Sequence, residues 1–216
     1  MAGAKNGSDG AKANMSSRKN IWKLIFAVDS LWVYLRAQFV VSRQYQRKYL
    51  QSKWFTSPYG NIGAQGWRWV IDNARACRLN GVNTDVPWPV SARISVVKPE
   101  NITFDPDDMN NFQGFGNYYQ AQAPITLGKG TYIAPNVGII TANHDPSDLK
   151  RHLPSRPVTL GENCWIGMNS VILPGVTLGD RTVVGAGSVV TKSFLEGWCV
   201  VAGNPAKVIK YLPREP

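Results

Sequence analysis

Cysteine and histidine are scarce in this chain of 216 residues, which has three of the first and two of the second. Cys77, Cys164 and Cys199 lie far apart and form no CxxC pair. Their odd number argues against a disulfide framework, and a reducing, cytoplasmic setting fits. With only His144 and His152, the chain cannot supply three different imidazole ligands to a zinc ion. No other metal-ligand set stands out, because the carboxylates of "FDPDDMNN" at residues 104–111 sit among Asp-Pro and Asn-Asn turn signals. Long apolar runs are missing as well. The best candidate, "IWKLIFAVDSLWVYLRAQFVV" at residues 21–41, is interrupted by Lys23, Asp29 and Arg36, too often for a spanning helix of about 20 mostly apolar residues. The first twenty residues, rich in Gly, Ala, Lys, Asn and Ser, lack the apolar core of a secretory leader, and none is expected.

Acidic residues are also few, 14 against 24 Lys and Arg, and the imbalance is local. Residues 1–60 hold ten Lys/Arg against Asp9 and Asp29, whereas the remainder holds fourteen against twelve. A basic segment on a near-neutral body predicts a local partner such as an anionic membrane surface, and no nucleic acid. Residues 1–19 read as a flexible basic tail and residues 20–85 as a helical region. Its first helix has one broad apolar side and runs into "SRQYQRKYLQSKW" at residues 42–54. Two placements follow: peripheral membrane contact through residues 20–54, or docking on the body or on another subunit. A second helix is expected from about Trp67 to Asn80, where Trp67, Val70, Ile71 and Ala74 recur at helical spacing and Gly81 supplies a stop.

What dominates the rest of the chain, 44% apolar overall and able to build a core, is a period of six. The frames are LGKGTY (127), IAPNVG (133) and IITANH (139), then LGENCW (160), IGMNSV (166), ILPGVT (172), LGDRTV (178), VGAGSV (184) and VTKSFL (190). The first position is Leu, Ile or Val in all nine. A helix repeats near 3.6 and a half-buried strand at 2, so neither explains the pattern. Short strands joined by corners do explain it, with first and fifth positions inward and Gly or Asn at corners with positive φ. Three such sides close a triangular coil, and stacked coils pile their aliphatic positions into one core.

The rhythm breaks once. After Ile139 the next turns should begin at 145, 151 and 157, yet it resumes at Leu160 and extends back only to Pro154. An excursion, residues 145–153 with the content "DPSDLKRHL", therefore leaves the coil directly after His144. A polar loop projecting from a rigid stack can cover a site or reach a neighbouring subunit. His144 stands at a corner beside its base and points outward; His152, within the loop, reads as solvated.

"ITLGKGTYIAPNVGIITANHD", "PVTLGENCWIGMNSVILPGVTLGDRTVVGAGSVVTKSF" and "VVAGNPAKVIK" resemble the hexapeptide-repeat acyltransferases. Within them the likeness is to the galactoside, maltose and nodulation-type sugar O-acetyltransferases, over residues 120–212. The resemblance implies a mainly β fold, a left-handed parallel β-helix over residues 86–195, with an N-terminal helical region and a C-terminal segment at 196–216 on the side of the cofactor. It further implies a homotrimer with active sites between subunits, acetyl-CoA as acyl donor and no metal. His144 matches the general base, the backbone N–H of Met168 the oxyanion donor, and Trp165 an aromatic lining the site. Backbone groups at Ala186 and Thr191 match those that hold the pantetheine arm, and Lys192, Lys207 and Lys210 match basic positions near the CoA phosphates. A sugar-binding Asn of the family falls here on Gly114, so Asn111, Gln113, Asn117 or Tyr119 is expected to contact the acceptor instead. Asp145 either orients the base or starts the loop.

The chemistry requires such a base: a hydroxyl is a poor nucleophile near neutral pH, and a neutral imidazole can take its proton. The length, basicity and aromatics of the N-terminal region resemble acetyltransferases that modify capsule, exopolysaccharide or lipid-linked glycans. The expected activity is therefore O-acetylation of a sugar, surface polysaccharide or lipid-linked glycan. Alternatives are N-acetylation of an amino-sugar nucleotide and a catalytically silent, membrane-associated scaffold. A metalloenzyme of the γ-carbonic anhydrase type lacks its histidines.

Overall fold

Fourteen residues separate the end of the second helix at Asn80 from the first short strand at Ser95, and from Leu127 onward the six-residue period governs the path of the chain. The structure, a computed structural model, describes residues 25, 27–56 and 61–214; the tail expected at residues 1–19 lies outside them. Three parallel faces form a triangular prism. Face one holds β1 (Ser95–Val97), β3 (Tyr118–Gln120), β6 (Gly138–Ile140), β11 (Val171–Ile172) and β14 (Val189–Val190). Face two holds β2 (Ile102–Thr103), β4 (Ile125–Leu127), β9 (Val158–Leu160) and β12 (Thr177–Leu178). Face three holds β5 (Tyr132–Ile133), β10 (Trp165–Ile166), β13 (Val183–Val184) and β15 (Cys199–Gly203), against which β16 (Ala206–Tyr211) turns back antiparallel. Outside the prism, β7 (His144–Asp145) and β8 (Asp148–His152) make a small antiparallel pair. The coil is a left-handed parallel β-helix, as the family resemblance implied.

Register stacks like on like: Ile166 pairs with Ile133 above and Val184 below, and Ile172 with Ile139 and Val190. All nine first positions of the repeat are buried, and so are the fifth positions Thr131, Val137, Cys164, Ser170, Val176, Thr182 and Ser188. Hydroxyls among them are tied to backbone, as when Thr131 donates to the Gly161 carbonyl at 2.7 Å. Corners take positive φ where expected, at Asn136, Asn163 and Asn169 and at Gly130, Gly175 and Gly187. Along the edge that follows face two, Gly128, Gly161, Gly179 and Gly197 lie so close that a Cβ on Gly128 would stand 2.3 Å from the Gly161 carbonyl carbon.

The top of the prism is closed by the N-terminal region. Helix α1 covers residues 27–41 and α2 covers Gln65–Asn80, ending on Gly81 at φ 65°. Trp67, Val70, Ala74 and Cys77 form the buried side of α2. Beneath it an aromatic stack runs into the first coils, with ring centroids 5.1 Å apart for Trp88–Phe104, 4.7 Å for Phe104–Phe112 and 5.0 Å for Phe112–Tyr119. Helix α1 departs from its expected single apolar side. It docks through Ser30, Ala37 and Val41, with Tyr34 edge-on to Trp67 at 5.1 Å, yet its opposite side is apolar as well.

Candidate functional site

The break in the repeat is an ordered hairpin anchored to the coil. The Thr141 N–H donates to the Gln120 carbonyl and the Ala142 N–H to the Gln120 side chain, so the chain is still hydrogen-bonded to the preceding coil as it leaves face one. On its return, the Leu153 N–H donates to the Asn143 carbonyl at 2.9 Å and the Arg156 N–H to that of Thr141 at 2.8 Å. Asp145 makes the turn between: its carboxylate accepts from the Ser147 N–H at 2.8 Å and the Ser147 hydroxyl at 2.6 Å, and it pairs with the Arg151 guanidinium. The Ser147 hydroxyl, the Ser147 N–H and then Arg151 hold the Asp145 carboxyl below the usual carboxylate range.

That hairpin fixes His144. Its Nδ1 lies 2.7 Å from the Leu149 carbonyl oxygen. A carbonyl only accepts, so Nδ1 carries the hydrogen and, in the neutral ring, Nε2 keeps the lone pair. His152 sits directly opposite on β8, its ring centroid 4.2 Å from that of His144 and its plane tilted by 39°. Both rings are exposed. The site is therefore an outward-facing imidazole, locked by one backbone acceptor and covered on one face by a second imidazole.

The remaining expected residues fall into two groups on opposite edges of face one. With His144, on the edge between faces one and two, are the exposed Thr191 and Lys192, which follow β14. On the edge between faces three and one stand Met168, after β10, and Ala186, after β13. Among the described residues the Met168 N–H makes no backbone hydrogen bond, while its carbonyl accepts from the Gly187 N–H at 2.8 Å. Trp165 and Tyr132 project from face three as register neighbours, 54% and 52% exposed. Lys207 and Lys210 are exposed on β16, opposite Ala202 and Val200. One chain alone does not bring His144 to Met168.

Four expected acceptor contacts are corrected by their burial. Asn111 is inside the coil, donating to the Thr131 carbonyl at 2.8 Å and accepting from the Ile133 N–H at 2.9 Å. The Tyr119 hydroxyl donates to the Asn111 carbonyl at 3.1 Å, and Asn117 accepts from the Val137 N–H at 3.3 Å, both from buried positions. Gln113 is half-buried between Asn73 and the Pro89 carbonyl, each at 2.7 Å. Asn111, Asn117 and Tyr119 tie neighbouring layers together and Gln113 ties the coil to α2, so their polar atoms are spent within the protein. Asp145 likewise spends its carboxylate on Ser147 and Arg151 and, among the described residues, makes no hydrogen bond to the His144 ring. Gly114, where the family's sugar-binding Asn falls, leaves open space, with nothing within 4 Å of an added Cβ.

His152, read from the sequence as solvated, is exposed yet lies against the His144 ring, a pairing that sequence reasoning missed. The signal was present in "DPSD", a turn sequence that folds the following strand back onto His144.

Comparison with known proteins converges on one group. Residues 157–192 match the family described as bacterial transferase hexapeptide (six repeats). Galactoside O-acetyltransferase of Escherichia coli K12 is 44% identical over 89 residues, 40% of this chain and 43% of that protein. A maltose O-acetyltransferase structure from Clostridium difficile 630 is 40% identical, with a TM-score of 0.42 over 45% of this chain and 54% of that one. A galactoside acetyltransferase structure in complex with coenzyme A is 25% identical, with a TM-score of 0.51 over 85% of this chain and 82% of that one. The chain spans about half the length of the curated relatives it matches. It resembles the hexapeptide-repeat acyltransferases, among them the sugar O-acetyltransferases.

Proposed function

We propose that this chain is an acetyl-CoA-dependent O-acetyltransferase acting on a hydroxyl of a sugar, a surface polysaccharide or a lipid-linked glycan. The observation that carries this reading is the Nδ1 contact of His144 with the Leu149 carbonyl, which leaves Nε2 as an exposed proton acceptor. Acetyl-CoA, when bound, supplies an acyl group already activated as a thioester. His144 Nε2 takes the acceptor hydroxyl's proton as its oxygen attacks, a role worth about 10²- to 10⁴-fold. The Met168 N–H, without a backbone partner among the described residues, serves the developing oxyanion, and such a donor contributes about 10²- to 10³-fold. His144 then holds the proton and hands it to the leaving sulfur.

His144 and Met168 occupy different edges of one prism, which supports a homotrimer in which one subunit's hairpin edge faces its neighbour's Met168 edge. Trp165 and Tyr132 then line the cleft instead of meeting water. Lys207 and Lys210, exposed on β16, fit the phosphates of CoA beside the corner at Ala186, and Thr191 and Lys192 fit its pantetheine arm from the other subunit. Three free, buried cysteines suit a reducing compartment such as the cytoplasm.

Thiol release from acetyl-CoA, followed with a panel of sugars, oligosaccharides and amino sugars, tests the reading. The expected result is turnover that depends on a hydroxyl acceptor. Turnover on amines alone would move the chain to N-acetylation, and a folded protein that binds no CoA would leave a scaffold.

His152 acts in this scheme as a positioning residue that braces the base. His152→Ala is expected to lower kcat several-fold while KM for acetyl-CoA stays put, because the base is loosened and the donor site is untouched. His152→Phe, which keeps a flat ring against His144, should recover most of the loss. Equal activity of the two variants would sink this role.

A further inference from the structure

Helix α1 is apolar on two opposite sides, and only one of them is used. Ser30, Ala37 and Val41 pack on the body, whereas Ile25, Val28, Leu31, Trp32, Leu35 and Phe39 form a stripe on the far side. Trp32 and Phe39 are 64% and 61% exposed. A contiguous apolar strip of this kind on a soluble surface marks a contact site.

We propose that this stripe, with the arginines beside it, is a docking surface for an anionic phospholipid bilayer. The proposal does not depend on the catalytic reading. From Ile25 to Phe39 the stripe is about 21 Å long at 1.5 Å per residue, shorter than the roughly 30 Å of a hydrocarbon core. No described helix is long and apolar enough to cross a membrane. Such a helix lies flat, its Trp and Phe at the level of the headgroups.

Charge selects the occupant. Residues 25–80 hold eight Arg/Lys against Asp29 and Asp72, and Asp29 is already paired with Arg68 at 2.5 Å. Arg43 lies with its guanidinium 3.5 Å above the Phe39 ring, at one end of the stripe. Along its side runs a groove of about 400 Å³ between the two helices, where Arg36, Arg75 and Arg78 surround Phe39, Val40 and Ile71. Three guanidiniums around an apolar floor suit a lipid phosphate, which they can grip through paired N–H donors, with the acyl chain alongside. A second copy of the same face would bring these arginines against their own equivalents, and an anionic surface would neutralise them.

Full-length protein is sedimented with vesicles of phosphatidylcholine containing phosphatidylglycerol, and with phosphatidylcholine alone, at low and high salt. Binding is expected only on the anionic vesicles and should weaken with salt. A triple variant, Arg36→Gln with Arg75→Gln and Arg78→Gln, should lose on the order of 100-fold in partitioning at about 1 kcal/mol per cation. Leu35→Asp with Phe39→Asp should abolish binding; should that variant fail to fold, the arginine variant, whose changes are all on the surface, decides alone. Protein that stays in the supernatant with anionic vesicles at low salt overturns the proposal. So does equal binding to both vesicles, which would be apolar adhesion, and so does a stripe variant that dissociates an oligomer while the wild type ignores vesicles.

Discussion

His144→Ala is expected to lower acceptor-dependent thiol release by at least about 10²-fold while leaving thermal stability within about 0.5 kcal/mol of wild type. Both halves follow from where the ring sits. It is exposed, on a hairpin outside the prism, so the core loses nothing when it is removed. Its only hydrogen bond among the described residues is from Nδ1 to the Leu149 carbonyl, at the surface. With Nε2 gone, nothing nearby can replace it: Asp145 is committed to Arg151 and Ser147, and His152 faces the side of the ring instead of its reacting edge. A folded His144→Ala enzyme with the wild-type rate would remove His144 from the mechanism.

A large loss of stability is expected for Gly179→Ala. A Cβ there would stand 2.3 Å from the Leu195 carbonyl oxygen and 2.6 Å from the Gly197 nitrogen. Both are backbone atoms of the next coil, so no side chain can rotate away, and relief requires the coils themselves to part. Overpacking of this kind costs about 1–3 kcal/mol when side chains can yield; with backbone on both sides the top of that range is the expected loss, about 6 °C or more in Tm for a chain this long. The stabilisation from lowering the entropy of the unfolded chain, roughly 0.4–1 kcal/mol, offsets only part of it. Gly114→Ala is the control, since nothing lies within 4 Å of its added methyl. Similar melting temperatures for the two variants would mean that the stacked glycines do not set the spacing of the coils.

The two sites differ in how far the sequence announced them. The period of six fixed which residues face inward, because each coil repeats the same geometry and an aliphatic first position has only one place to go. Asn136, Asn163 and Asn169 were legible as corners for the same reason, as few side chains other than Asn accept positive φ. His144 was legible as the last residue before the break. Its companion was not: whether His152 points to water or to His144 depends on the register of a hairpin that lies outside the repeat. Asn111, Asn117 and Tyr119 were misjudged because they precede the first clear frame at Leu127, where no period tells inside from outside. Polar side chains there looked available for a ligand, yet they bind the backbone of adjacent coils. The docked side of α1 was equally hidden, since composition reveals apolar residues and not which of two apolar sides meets the body.

A coil built by stacking has no intrinsic length, because each finished layer presents the same hydrogen-bonding pattern to whatever comes next. This one is told where to stop. On face three the last parallel strand, β15, is met by β16 running the other way, with Lys207 and Lys210 exposed along it. An antiparallel strand offers the wrong template for another coil, and its lysines resist a second molecule's strand. The turn at residues 203–206 therefore closes face three to a further coil, and the prism ends there on a strand that no next layer can copy.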